Sequence, residues 1–319
     1  MRTQSAIVTT GTAERRSPAR GAHAGADQPG RLRTRGQALA ARIGRLSLLH
    51  LLCIVVAVGV FGAPLIYILL VSFNTETGLL GNAWGWPSHF TFANYSAAWV
   101  QGDFFREILN SVLYAAVTDA VSLVLGVFLA FPVSRGYLRR SNLWYAFFIF
   151  SGFLPPALIP LFIEARWLHI YNNRLGYMLI LSLQGAGFFF FVGYIKGIPR
   201  EREEAAAIDG CSYIRFVFTI LMREMKPALA AFAVFGFVGT WNLLILPIIL
   251  LPKTSLFPVT RGLYSFFGSY QSNEPEIAAA TIIVSLPLLV VFLVLQRYLV
   301  QGVAGGAMGV GMDKREGQT

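Results

Sequence analysis

From Leu48 onward the chain returns repeatedly to apolar runs of about twenty residues, the length at which a helix crosses the hydrocarbon core of a bilayer. Six can be marked: Leu48–Phe73, Asn110–Ser134, Leu143–Ile163, Leu175–Ile195, Ala228–Leu251 and Ile277–Leu295. A backbone in hydrocarbon must satisfy its polar groups within its own segment, so runs of this length commit the chain to helices. The expected fold class is all-α integral membrane, with about six transmembrane helices. Only 13% of the residues are charged, about half the share of a soluble domain.

The formal net charge of +10 raises nucleic acid as a partner, but its distribution speaks for a membrane instead. Nine arginines precede the first run, against Glu14 and Asp27, and Arg135, Arg139 and Arg140 follow the second. Lys/Arg bias in the flanks sets orientation, so both termini are expected on the cytoplasmic side of the membrane. The expected organisation is a basic disordered tail over 1–46, a six-span domain over 47–300 and a cytoplasmic tail over 301–319. The 1–46 composition cannot bury a core. The apolar run that follows is too long for a secretory signal peptide.

Cys53 falls in the first run and Cys211 on the cytoplasmic side, so no disulfide is expected between them. His23, His50, His89 and His169 have no ligand spacing, and no metal site is expected. The sequence has no G-x-x-x-x-G-K-[ST] phosphate loop. If ATP supplies energy, another subunit hydrolyses it.

Between the fourth and fifth runs lies the longest charged passage after the first run, Pro199–Pro227, which overlaps the expected loop 198–226. Pro199 suits the opening of a helix, and Arg200 to Ala207 are mostly strong helix formers. Asp209-Gly210 reads as a turn in which Gly takes the left-handed conformation that ends a helix. Ser212 can cap a second helix, along which Ile214, Val217, Phe218 and Leu221 recur on one apolar face. A short polar helix, a glycine turn and an amphipathic helix between two spans make a docking element.

Inside the runs, Pro64 is an expected kink. Pro155-Pro156 and Pro160 break the third segment, where freed carbonyls need neighbours or water. Asp119 lies near the middle of the second, where an ionised side chain costs about 2.5–3.5 kcal/mol or more. It can line a translocation path or make an interhelical hydrogen bond. Gln184, Trp241 and Asn242 can offer amide hydrogen bonds and a stacking face to a sugar, or can serve packing alone. Trp84, Trp86 and Trp99 suit a membrane–water interface.

At Glu204–Gly210, E-A-A-A-I-D-G, and on to Lys226-Pro227, the sequence resembles the EAA loop of ATP-binding-cassette importer permeases, more closely the carbohydrate branch of the maltose (MalG-like) type. Supporting matches are Phe90–Tyr95 (F-T-F-A-N-Y), Asn110-Ser111, Pro155-Pro156, Ile198–Glu201, Trp241-Asn242 and Gln296–Ala307 (Q-R-Y-L-V-Q-G-V-A-G-G-A). The resemblance runs from about Leu48 to Gly309. It implies that Glu204, Ala205, Ala206, Asp209 and Gly210 form the coupling helix that docks in a groove of the ATPase subunit. It also implies a second, homologous permease, two ATPase subunits carrying ATP and Mg, an extracytoplasmic sugar-binding protein and no cofactor in this chain. The loop Lys253–Glu276 would face that binding protein, with Arg261 and Tyr264 as contacts. The family usually has Leu-Pro where this chain has Met222-Arg223, and Ala in place of Cys211. The chain performs no chemistry on this reading. The alternatives are a permease for glycerol phosphate, a polyol or another small solute, and an ion-coupled carrier working alone.

Overall fold

The computed structural model describes residues 48–81, 86–87, 89–154, 157–184, 187–268 and 273–312. The 1–46 tail, Trp84, the Pro155-Pro156 pair, Tyr270 and the residues after Met312 lie outside it. Among the described residues every regular element is helical. The chain divides into two compact units, one ending at Val60 and one from Phe61 onward. The described part of the first is α1 (Leu48–Ala57) running into a π-turn, with apolar, exposed side chains from Leu51.

The second unit begins with α2 (Ala63–Ser72), α3 (Glu76–Gly81) and α4 (Ala93–Gln101). Next comes α5 (Phe104–Arg135), 32 residues long and so about 48 Å at 1.5 Å per residue. It is longer at both ends than the expected run. Gly136 (φ +77) ends it, with Tyr137 N–H donating to the Pro132 carbonyl at 3.0 Å, the left-handed stop that glycine permits.

The third expected span is two helices, α6 (Ser141–Phe153) and α7 (Leu158–Trp167). Leu154 is extended (φ −71, ψ 134), as the residue before a proline must be. The fourth is α8 (Arg174–Ser182) and α9 (Gly187–Lys196). The fifth is α13 (Lys226–Trp241) followed after a break by α14 (Ile245–Leu250). Beyond α15 (Val259–Ser265), the sixth is the start of α16 (Glu274–Met312). That last helix does not stop at Leu295 but continues through the stretch expected as a tail. Among the described residues four helices are long and apolar enough to cross a membrane: His50–Ser72, Phe104–Arg135, Arg174–Lys196 and Glu274–Val294. The third and fifth expected spans are not in that set: α6 and α7 are separate helices, and α13 stops at Trp241, before the Asn242 break.

α5 is the central strut. It packs on α9, α13 and α8, while α13 and α2 pack on α16. Three apolar clusters meet along α5: one around Val127, Phe131, Phe191 and Phe216, one around Phe104, Trp241 and Val259, and one around Tyr114, Tyr177 and Leu250. The opposite faces are apolar and uncovered, as at Leu109, Leu113, Leu286, Leu289 and Leu293. A surface of that kind is stable only with lipid as its solvent.

Candidate functional site

The 198–226 segment folds as α10 (Glu201–Ile208), a turn, α11 (Tyr213–Phe216), a π-turn (Val217–Leu221) and α12 (Met222–Glu224). Three acidic residues, Glu201, Glu203 and Glu204, stand in the first turn of α10, where they complement the helix dipole. Pro199 lies one residue before the N-cap, Arg200, so the helix opens slightly later than its proline suggests. The exit is a Schellman motif: Gly210 N–H donates to the Ala207 carbonyl at 3.1 Å and Cys211 N–H to the Ala206 carbonyl at 2.9 Å. Gly210 has φ +69, the conformation expected from the D-G turn.

α10 divides its residues between two faces. Ala206 is buried against this chain's own core, with Phe131, Phe216 and Val217 in the same cluster. Glu204, Ala205, Asp209 and Gly210 are exposed. So is Ile208, at 86%, an apolar side chain standing free at the end of the helix. The two alanines therefore serve different surfaces: Ala206 lets α10 lie close to the bundle, and Ala205 faces out.

Beneath the inner face sits a pair that sequence inspection did not single out. The Arg135 guanidinium, at the end of α5, meets the Glu203 carboxylate at 3.1 Å, both side chains over nine-tenths buried. Arg135 also donates to the Ile198 carbonyl at 2.7 Å. A second ion pair joins Arg202 to Glu224, tying α10 to α12. Arg135 reads in the sequence only as one of several basic residues after a span. Nothing local in the sequence tells that it turns inward to meet a carboxylate 68 positions on.

The second helix buries a different face from the one its periodicity suggested. Phe216, Val217, Leu221 and Met225 are buried, whereas Ile214 and Phe218 are exposed. The π-turn over Val217–Leu221 adds a residue to the winding and so rotates everything after it. Ser212 occupies the N-cap position in extended conformation, but its side chain makes no capping bond. Tyr213 instead reaches across to α5, its hydroxyl donating to the Phe128 carbonyl at 2.8 Å. Burial pushes this phenol above its ordinary pKa.

At the other end of α5, a polar stripe at i, i+3, i+4 and i+7 holds the 253–265 segment. Asn110 Nδ2 donates to the carbonyls of Ser255 (3.1 Å) and Phe257 (2.9 Å). Ser111 Oγ accepts from Val259 N–H at 2.8 Å, and the Tyr114 hydroxyl donates to the Leu256 carbonyl at 2.9 Å. Arg174 donates to Asn110 Oδ1 at 2.9 Å. The Glu107 carboxylate lies against Gly262, leaving no room there for a β-carbon. Arg261, expected on an outward surface, is half-buried, its guanidinium stacked 4.4 Å over the Phe257 ring. Tyr264 is half exposed.

Between these ends, Asp119 is buried and its carboxyl rests against Gly236 of α13, again where no β-carbon fits. Trp241 is 1% exposed and stacked on Phe237 at 5.4 Å, so its face is occupied by the core. Asn242 is exposed and donates to the Val238 carbonyl of its own helix. Gln184 is exposed after α8. Among the described residues no hydrogen bond joins Asp119, Gln184, Trp241 and Asn242 to one another.

Residues 122–305 match the family model described as "Binding-protein-dependent transport system inner membrane component". The chain is 28% identical to the diacetylchitobiose uptake system permease protein NgcG of Streptomyces coelicolor, over 76% of this chain and 82% of that protein. It is 28% identical to the melibiose/raffinose/stachyose import permease protein MelC of Bacillus subtilis, over 84% and 99%. A putative ABC transporter permease of Caldicellulosiruptor is 30% identical over 77% and 90%. In fold, the chain is similar to a chain from a bacterial ABC transporter involved in alginate import, with TM-score 0.71, 20% identity and coverage of 84% and 99%.

Proposed function

Because the chain belongs to the family of binding-protein-dependent transport system inner membrane components, we propose that it forms half of the translocation path of an ATP-driven sugar or oligosaccharide importer. A separate ATPase subunit drives it through α10. The observation that carries this reading is the two-faced α10, bolted to α5 by a buried ion pair and presenting Glu204, Ala205, Ile208 and Asp209 outward. Ala205 allows close approach, Ile208 supplies apolar area, and Glu204 and Asp209 offer charge to a basic partner. Movement of an ATPase groove gripping that face passes into the bundle through Arg135–Glu203 and Arg202–Glu224.

The proposed assembly contains a second, homologous permease, two ATPase subunits holding ATP and Mg, and an extracytoplasmic sugar-binding protein. The path is made of six spans, with the two broken segments completing the four long helices, and both termini are cytoplasmic. The 253–276 segment faces the binding protein, and Tyr264 is its exposed contact. Arg261 acts there by shaping the segment over Phe257. The saccharide named for each of two relatives supports a carbohydrate substrate.

Two measurements test this. Glu204→Lys is expected to leave membrane insertion unchanged while abolishing co-purification with the ATPase and saccharide-stimulated ATP hydrolysis. Gly210→Ala would cost only the left-handed strain, about 1–2 kcal/mol, because its β-carbon would meet open space. Gly210→Pro loses the φ and the N–H donor together. Unchanged hydrolysis in Glu204→Lys and Gly210→Pro would overturn the coupling role. In a separate test of orientation, Asp209→Cys in a Cys53→Ser/Cys211→Ser background, which removes the two native thiols, should react with a membrane-impermeant maleimide in inverted vesicles and stay unlabelled in intact cells. The reverse pattern would invert the topology.

A further inference from the structure

A groove of about 480 Å³ opens beside the π-turn, lined by Phe218, Thr219, Met222, Arg223, Lys226 and Leu229. It sits where the charged 198–226 segment gives way to the apolar helix α13. Phe218, Met222 and Leu229 give it an apolar wall, with Met222 and Leu229 also leaning on the core cluster behind. Arg223 and Lys226 stand three residues apart at its edge, both without an ion pair or hydrogen bond among the described residues. The carboxylate beside them in sequence, Glu224, is turned away to Arg202. The groove therefore keeps two uncompensated positive charges. The π-turn puts Phe218 and Thr219 on this face, and such turns are frequent at functional sites.

We propose that this groove is a binding site for an anionic phospholipid of the cytoplasmic leaflet. Arg223 and Lys226 hold the headgroup phosphate, and Phe218, Met222 and Leu229 take the first acyl carbons. Cations at headgroup depth above apolar side chains match a molecule charged at one end and oily at the other. The nearby carboxylates of this chain, Glu203 on α10 and Glu224 on α12, are already paired with Arg135 and Arg202, so the two cations are left to an anion from outside. Leaflet assignment rests on the orientation proposed above; the site itself does not.

The test is lipid titration of the full-length chain in mixed micelles, read by native mass spectrometry with phosphatidylglycerol or phosphatidylcholine. Membrane-proximal cations each contribute roughly a factor of five. Arg223→Gln/Lys226→Gln should therefore weaken phosphatidylglycerol binding about thirtyfold and leave phosphatidylcholine unchanged. The charge-conserving pair Arg223→Lys/Lys226→Arg should stay within about twofold of the parent. Equal phosphatidylglycerol binding by the neutral pair would overturn the site. So would an equal loss in Arg139→Gln/Arg140→Gln, whose cations lie outside the groove. Loss of a co-purifying permease with lipid binding intact would reassign the groove to protein contact and overturn the proposal. Micelles have no sidedness, so this result is independent of the Asp209→Cys labelling.

Discussion

Glu203→Ala is expected to destabilise the protein by about 3–5 kcal/mol, the cost of leaving a buried charge without its partner. The Arg135 guanidinium would keep its bond to the Ile198 carbonyl and lose its only carboxylate among the described residues. Both side chains are more than nine-tenths buried, so solvent screening does not soften the loss. Trypsin cleavage within 198–226, followed against temperature in detergent, reads the effect directly. Replacing both residues, Arg135→Met with Glu203→Leu, should recover most of the stability, since an apolar pair of similar size carries no desolvation cost. The double variant should nonetheless have weakened ATPase coupling, because α10 would then be held to α5 by packing alone. Unchanged protease protection in Glu203→Ala would show that the pair holds nothing.

Asn110→Ala has the second large effect, at the far end of the same helix. One side chain there serves two carbonyls and one arginine. Each group left buried and unpaired costs about 1–3 kcal/mol. Cleavage after Lys253 is expected to accelerate at least about tenfold, as roughly 1.4 kcal/mol of local opening implies, while cleavage in 198–226 stays unchanged. Tyr264→Ala makes the contrast. Its side chain is half exposed, so stability should hold and only hydrolysis stimulated by the sugar-binding protein should fall. If Asn110→Ala leaves the 253–265 segment protected, the polar stripe is not what holds it.

The helical, membrane-embedded character of the chain was legible because it depends on hydrophobicity summed over about twenty residues, which no tertiary contact can hide. The Gly210 turn was legible for a related reason: a left-handed residue is a local demand that Gly meets almost alone. Ala206 shows where reading stopped. Ala205 and Ala206 are chemically identical, and only the packing of α10 on Phe131 and Val217 decides which one faces a partner. Ile214 and Phe218 are exposed although a 3.6-residue period placed them with Val217 and Leu221, and Phe218 lies within the stretch that winds as a π-turn. Arg135–Glu203 and the Asn110 stripe were out of reach, since their partners lie far along the chain and their residue types are common. Trp241 could be read from its type as a stacking face or as packing, and its burial against Phe237 accords with packing.

One consequence of α5 concerns the timing of transport. Its last residue, Arg135, grips α10, and Asn110, about 38 Å away at 1.5 Å per residue, grips the opposite segment. Both clamps are set into a single helical rod. The two clamps share one continuous helix, so a displacement at the first is carried along its axis toward the second, with Pro132 lying between them. A pull on α10, in the coupling role proposed for it, therefore reaches the 253–265 segment through covalent backbone, and the two ends respond together with no separate signal between them.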